Sequence, residues 1–413
     1  MRLNWQQLND LEREYGDSFY LVDIDKFRGN YQEFIQGFQS IYQNTKIGYS
    51  YKTNYLPKLC KLAYGWGAYA EVVSQMEYDL AVKLGVSPNR IIFNGPLKRS
   101  NDLTNALLQG SIVNLDSLRE VYILKEVAAN YPENTFSVGL RCNFDINTDR
   151  ISRFGFDVTN GDLEDAFTTI KDIDNCTVAG LHCHFSTSHR SVESYRLRTQ
   201  KLLELVNLFF SNNPPKFINV GGGFFGKMPP ELCQQFDGDI PSYQAYAQAI
   251  APQVAAQFTG DNLPELIVEP GVALVADVMQ FAAKVIGIKT VRSRQIALLA
   301  GSIHNTKPTG SDKKPKIEVY KCDRSTSSDR LSGTIDLVGY TCMEHDCLYQ
   351  GYQGDIAVGD YVVFDNMGAY TIVFKPPFIS PNPAIVSYDS VTNQYELCRR
   401  AETMDDVFIS YVI

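Results

Sequence analysis

The sequence has no run approaching the roughly 18 apolar residues of a membrane-spanning helix, no CxxC pair, and no surplus of positive charge. Each absence removes a class of protein. Without a long apolar run, a membrane span is not expected. The nine cysteines (60, 142, 176, 183, 233, 322, 342, 347 and 398) are odd in number and scattered. They read as free thiols of a reducing compartment rather than as disulfides or a zinc site. A formal net charge of -9 argues against a nucleic-acid partner, whose phosphates would repel the chain. The opening stretch MRLNWQQLNDLEREYG has neither the cationic start nor the apolar centre of a secretory leader, so a cytoplasmic location is expected.

What is present is 413 residues, 44% hydrophobic and 21% charged, an ordinary composition for a folded protein. The length exceeds one core of about 100–200 residues, so two domains are expected. From about residue 46 to 270, short β-branched apolar runs alternate with helical periodicity. The strand candidates are 46–51, 69–73, 90–94, 112–115, 135–142, 178–185, 217–221 and 265–269, separated by helices such as 75–85, 99–109, 117–130, 190–211 and 241–258. Eight βα units predict the α/β class and a closed (β/α)8 TIM barrel. Beyond about residue 280 the runs AKVIGIKTV, QIALLA, KIEVY, TIDLVGY, DYVVFDN, TIVF and AIVSYD follow one another without a long helix, predicting an all-β C-terminal domain. The expected division is a barrel over 25–280 and a β-rich domain from 1–24 and 281–413. FYLVDID (19–25) suits a strand of either. PTGSDKKPK (308–316) and DRSTSSDRLSG (323–333) read as polar loops.

In such a barrel the chemistry sits at the C-terminal strand ends, and the unusual polar residues fall there. Lys52 follows the first strand, Glu71 lies in the second, Asn94 ends the third, Arg141 the fifth, His184 the sixth, Gly221, Gly222 and Gly223 the seventh, and Glu269 the eighth. A desolvated lysine at a strand end has a lowered pKa and attacks carbonyls, whereas a solvated one does neither. The triple glycine reads either as a tight turn or as a close backbone approach to an anion. Glu269, ending an apolar strand in IVEPG, needs a cation or proton donor if it is buried. An amine that reacts with aldehydes, an anion cradle and a buried carboxylate together meet the needs of pyridoxal phosphate. His184 has the shape to stack on its ring. His182 is assigned to the opposite face as a core histidine.

The motifs YKTN around Lys52, EVVSQMEY (71–78), SRFGF (152–156), GLHCHFST (180–187), NVGGG (219–223), VEPG (268–271), GYTCMEHDCL (339–348) and DNMGAYT (365–371) occur in order. In this the chain resembles the fold-type III pyridoxal-phosphate decarboxylases, the ornithine/arginine-type and diaminopimelate enzymes that share a barrel with alanine racemase. The resemblance implies a homodimer with shared active sites and pyridoxal 5'-phosphate as cofactor. It implies Lys52 as the Schiff-base lysine, His184 stacking on the ring, Glu269 at the ring nitrogen, Arg141 supporting His184, and Glu71 and Glu77 as acids near the cofactor. It places Thr187, Gly221, Gly222, Gly223 and Tyr370 on the phosphate. Cys342 from the partner subunit is implied as the proton donor to the carbon that has lost CO2, with Asp346 and Glu344 at the substrate.

Two departures stand out. Val272 replaces the arginine of the family's EPGR, and Met343 replaces the acid that usually follows the reactive cysteine. AGSIHNTKPTG (300–310) corresponds to the family's specificity segment, which makes His304, Asn305 and Lys307 candidates for distal contacts. The expected reaction is decarboxylation of a diamino acid or carboxylated conjugate. A racemase on the same barrel would need a second base, and no tyrosine is assignable to it. A catalytically inactive regulatory homologue is opposed by the presence of both Lys52 and Cys342.

Overall fold

The computed structural model describes residues 3–147, 151–210, 213–260, 262–322 and 330–412. They divide into two units, one of Asn30–Phe225 with Asp237–Leu274, the other of Met1–Gly29 with Gly226–Phe236 and Val275–Ile413. Among the described residues no helix is long and apolar enough to cross a membrane.

The first unit is a closed barrel of eight parallel strands: Thr45–Ser50, Tyr69–Val72, Ile91–Phe93, Ile112–Leu115, Phe136–Asn143, Cys176–His182, Phe217–Gly222 and Glu265–Glu269. Neighbours pair in chain order, and the last strand pairs with the first, so no edge remains. Strands such as IIF and ELIVE are apolar nearly throughout because helices cover one face and the barrel interior the other. That interior is filled by Ile92, Ala179, Phe217 and Ile267, with Tyr69 and Ile112 against them. Phe217 fits because two neighbouring strands carry glycine. A Cβ at Gly139 or Gly180 would stand 2.8 Å from its ring.

The helices start where short polar side chains cap them. Ser74 caps Gln75–Lys83, Ser191 caps Val192–Phe209 and Ser242 caps Tyr243–Gln257, each accepting a backbone N–H of the first turn. Asp162–Lys171 is a helix absent from the sequence expectation. Its first turn carries Asp162, Glu164 and Asp165, acids that favour a helix N-terminus.

The second unit is built on a nine-stranded sheet. Ser18–Asp23 runs antiparallel to Met279–Val291 and parallel to Ala384–Asp389, so the N-terminal strand joins this sheet. Arg294–Leu299, Arg330–Val338 and Cys347–Ala357 extend it on one side and Gln394–Arg399 on the other. Helix Trp5–Tyr15 places Leu8 and Leu11 in a core with Phe19, Leu21, Ala282, Tyr361, Val363, Ala384 and Val386. Residues 330–333, expected in a loop, begin a strand instead, while 323–329 lie outside the described residues.

Candidate active site

The first barrel strand ends at Ser50, and Lys52 sits on the 3-10 turn Tyr51–Thr53 that follows. Its Nζ lies 2.6 Å from Glu71 Oε2 on the second strand. Glu71 is fully buried and also accepts from Ser50 Oγ at 2.5 Å and Asn94 Nδ2 at 3.0 Å. Three donors, one of them a cation, compensate the burial of this carboxylate. The lysine is thus held by its counter-charge at the strand end. Gly271 makes this corner possible, since a Cβ there would meet Thr53 Oγ1 at 2.1 Å.

Asn94 extends the network. Its Nδ2 also donates to Glu269 Oε1 at 2.8 Å, and its Oδ1 accepts from Asn114 at 2.7 Å. Asn219 donates a second bond to Glu269 Oε1, at 2.7 Å. Glu269 Oε2, equally buried, has no hydrogen-bond donor among the described residues. Burial alone would raise the Glu269 pKa, but neighbouring His182 and Lys52 outweigh it and hold the carboxyl below the usual carboxylate range. Sequence reasoning named Asn94 only as a strand end and did not see the bridge. Its signal was a carboxamide between an apolar strand and a glycine.

His182 is not turned away from the site. The sixth strand ends at this residue, and its Nε2 stands 3.6 Å from Glu269 Oε2 with neither ring nitrogen hydrogen-bonded. His184 lies two residues beyond the strand. The Gly222 N–H donates to His184 Nδ1 at 3.0 Å, which makes that nitrogen an acceptor and leaves the proton on Nε2. Burial, with Lys52 and Arg141 nearby, drives the His184 pKa well down, so the ring is neutral. Arg141 lies inside the fifth strand rather than at its end. Its guanidinium bonds the His184 carbonyl at 3.1 Å and Asp116 at 3.2 Å, and it covers the Phe154 ring at 4.7 Å. A Cβ at Gly155 would stand 2.6 Å from the Arg141 carbonyl, which accounts for the small residue in SRFGF. Behind Asp116, the fully buried pair Lys98–Glu120 at 2.9 Å accepts the Asp116 N–H and fixes this wall.

The three glycines differ. A Cβ at Gly221 would lie 2.3 Å from the Cys183 carbonyl, and one at Gly222 2.1 Å from that of Glu269. Strand packing therefore demands both. The Gly221 amide donates to Asn219 and the Gly222 amide to His184, so neither is offered to an anion. Gly223, at φ +94, has open surroundings, with only Tyr195 and Phe185 within 4 Å of a built Cβ. Thr187 lines a neighbouring cavity of about 470 Å³ with Ser186, Ser188, Ser191 and Ser194, and its Oγ1 accepts from the Arg190 N–H at 3.2 Å.

Glu77, 5% exposed, accepts the Val73 N–H at 2.8 Å. Burial, with Glu71 adding to it, pushes its pKa up to about 7 from 4.5. A carboxyl raised on folding destabilises the folded state once the unfolded chain ionises. Glu77→Gln, which keeps the acceptor oxygen, is therefore expected to match the parent near pH 4. From there to about pH 7 it should gain relative stability on the order of 2 kcal/mol and hold it above. Denaturant midpoints across that range check this; a pH-independent difference would contradict it.

In the other unit, the loop GYTCMEHD projects Cys342 to the surface. Cys342, Met343 and Glu344 line a cavity of about 550 Å³ together with Lys289 and Arg294. Two residues expected at the substrate have partners close by in the chain, and Asp346 also lines this cavity. Asp346 is 3% exposed, and both its oxygens are spent on Ile303 N–H (2.6 Å) and on Thr341 N–H and Oγ1 (2.9 and 2.6 Å), so it braces the loop. Asn305 is 1% exposed, its Oδ1 accepts from the Ser302 N–H and its carbonyl from Tyr20. His304 packs edge-on to Phe378, and Lys307 is half-buried. Tyr370 has φ +55, a conformation rare outside glycine and frequent at functional positions.

Residues 28–276 match the family model described as pyridoxal-dependent decarboxylase, pyridoxal binding domain. The chain is 25% identical to the diaminopimelate decarboxylase of Methanocaldococcus jannaschii, over 88% of this chain and 84% of that one. It is 24% identical to the L-glutamyl-BtrI acyl-carrier-protein decarboxylase of Niallia circulans, over 98% and 96%. A crystal structure of the M. jannaschii diaminopimelate decarboxylase shares its fold, with a TM-score of 0.85 at 23% identity over 98% of this chain and 94% of the other.

Proposed function

This chain belongs to the pyridoxal-dependent decarboxylases, an amino-acid decarboxylase using pyridoxal phosphate, and we propose that its substrate is an amino acid with a distal carboxylate, either a diamino dicarboxylic acid or a carboxylated conjugate. The cofactor suits the residues present. Glu269 Oε2 is a buried acceptor lacking a donor, which a protonated ring nitrogen would supply, and Lys52 presents the amine its aldehyde needs. When bound, pyridoxal phosphate would supply an electron sink for the pair left on the substrate carbon as CO2 departs.

Lys52 would hold the cofactor through its amine, and the same amine, held by Glu71, would serve as a base when free. Glu269, kept ionised by His182 and Lys52 and oriented by Asn94 and Asn219, would keep the ring nitrogen protonated. The neutral His184 ring, fixed by the Gly222 N–H and by Arg141 on its carbonyl, is the stacking face. Thr187 and Gly223 would receive the phosphate. Cys342 of the partner subunit donates the final proton to carbon, in a homodimer with shared sites. Its exposed thiol, unusual for cysteine, supports a role outside its own core.

The observation that carries the substrate reading is that Cys342 shares one cavity with Lys289 and Arg294. Lys289 beside the proton donor suits an anionic distal group and Met343 adds no opposing charge there, while Arg294 is paired with Asp336 at 2.6 Å and Glu344 and Asp346 line the same cavity. The relatives named for diaminopimelate and for a glutamyl acyl-carrier-protein conjugate agree with this. A panel of lysine, ornithine, arginine, diaminopimelate and carboxylated conjugates, scored for CO2 and amine, tests it. Carboxylated substrates should lead, and a preference for ornithine or lysine would refute it. Cys342→Ala should lower kcat about 100-fold or more while leaving cofactor binding unchanged, as expected for loss of a general acid.

A further inference from the structure

Arg198, on helix Val192–Phe209, is fully buried, and among the described residues it pairs with no carboxylate. Its partners are neutral: the Ser194 carbonyl at 3.4 Å, Ser194 Oγ at 3.1 Å and the Gly222 carbonyl at 3.5 Å, with the guanidinium 4.1 Å from the centre of the Tyr195 ring. Tyr195 donates to the same Gly222 carbonyl at 3.1 Å. A guanidinium cannot shed its proton at ordinary pH, so an isolated one in the interior is costly unless an anion lies close by.

The position of that cation is informative. It lies directly behind the glycine turn, one peptide from Gly223, on the helix whose first turn carries Ser194 and lines the Thr187 cavity. Two of the glycine amides are already engaged, and Val272, in place of the arginine of the family's EPGR, supplies no charge. We propose that Arg198 is the buried counter-charge for the cofactor phosphate, acting from behind the Gly222 peptide as a positioning residue rather than by direct contact. The inference rests on the reading that the phosphate sits at Gly223 and Thr187. At one peptide's separation in a low-dielectric interior, a full charge is enough to change anion affinity by about 10- to 100-fold.

Apoprotein titrated with pyridoxal phosphate and with pyridoxal, which lacks the phosphate, tests this through the ratio of the two dissociation constants. Arg198→Met should weaken pyridoxal phosphate about 10- to 100-fold and pyridoxal little. Arg198→Lys, which keeps the charge and guards against a folding failure, should retain most of the preference. Equal weakening of both ligands, or an unchanged ratio in both variants, overturns the proposal. So does a ratio that collapses with Arg190→Met but not with Arg198→Met. Thr187→Val separates the underlying reading: if it lowers the preference while the Arg198 variants do not, the phosphate is where it was placed and Arg198 is not its counter-charge. If Thr187→Val and Gly223→Val both leave the ratio untouched, the phosphate position itself is wrong.

Discussion

Lys52→Ala is expected to abolish covalent retention of pyridoxal phosphate and to lower decarboxylation by about three orders of magnitude or more. The amine has two tasks, nucleophile toward the cofactor aldehyde and base once displaced, and loss of a positioned acid–base group alone costs about 10²–10⁴-fold. The same substitution removes the cation 2.6 Å from fully buried Glu71 and leaves that carboxylate with Ser50 and Asn94 only. A cost of about 3–5 kcal/mol in stability should accompany the loss of activity. Lys52→Arg separates the two effects. It keeps a positive charge for Glu71 but cannot form the imine, so it should recover much of the stability and none of the visible absorbance of lysine-bound cofactor.

Glu269→Gln is the second large effect, with an opposite stability signature. Both protein donors, Asn94 and Asn219, bond Oε1, and glutamine keeps that acceptor in place. The atom that changes is Oε2, which has no donor of its own. Folding and covalent attachment should therefore survive, while the ring nitrogen loses the anion that keeps it protonated. A preorganised electrostatic contribution of this kind is worth about 10²–10³ in kcat. The expected result is a fall in kcat of that size, with little change in KM or in denaturant midpoint. An unchanged kcat would show that Glu269 does not serve the reacting centre.

Much of the barrel was legible because its strands are buried on both faces and punctuated by capped helices. IVNL (112–115) and ELIVE (265–269) fall where the apolar runs stand. Where the reading slipped, a physical reason is identifiable. The run 178–185 was extended three residues too far, because CHF is as apolar as a strand although the ladder stops at His182; that error sent His182 to the core instead of to Glu269. The backbone contacts of Asp346 and Asn305 were not legible, because polar side chains in a loop carry no mark of whether they turn outward or cap their own backbone. Arg198 was invisible for a related reason. In RLRTQKLLELV it reads as a solvated helix residue, and only the tertiary structure buries it beneath the glycine turn.

The account turns on Lys52, and reduction of the holoenzyme with borohydride followed by peptide mass mapping tests it most directly. A single pyridoxyl label on Lys52, lost in Lys52→Arg, is the predicted result. Label on another lysine, Lys98 or Lys46 for example, or no label on a protein that still releases CO2 from an amino acid, would contradict it.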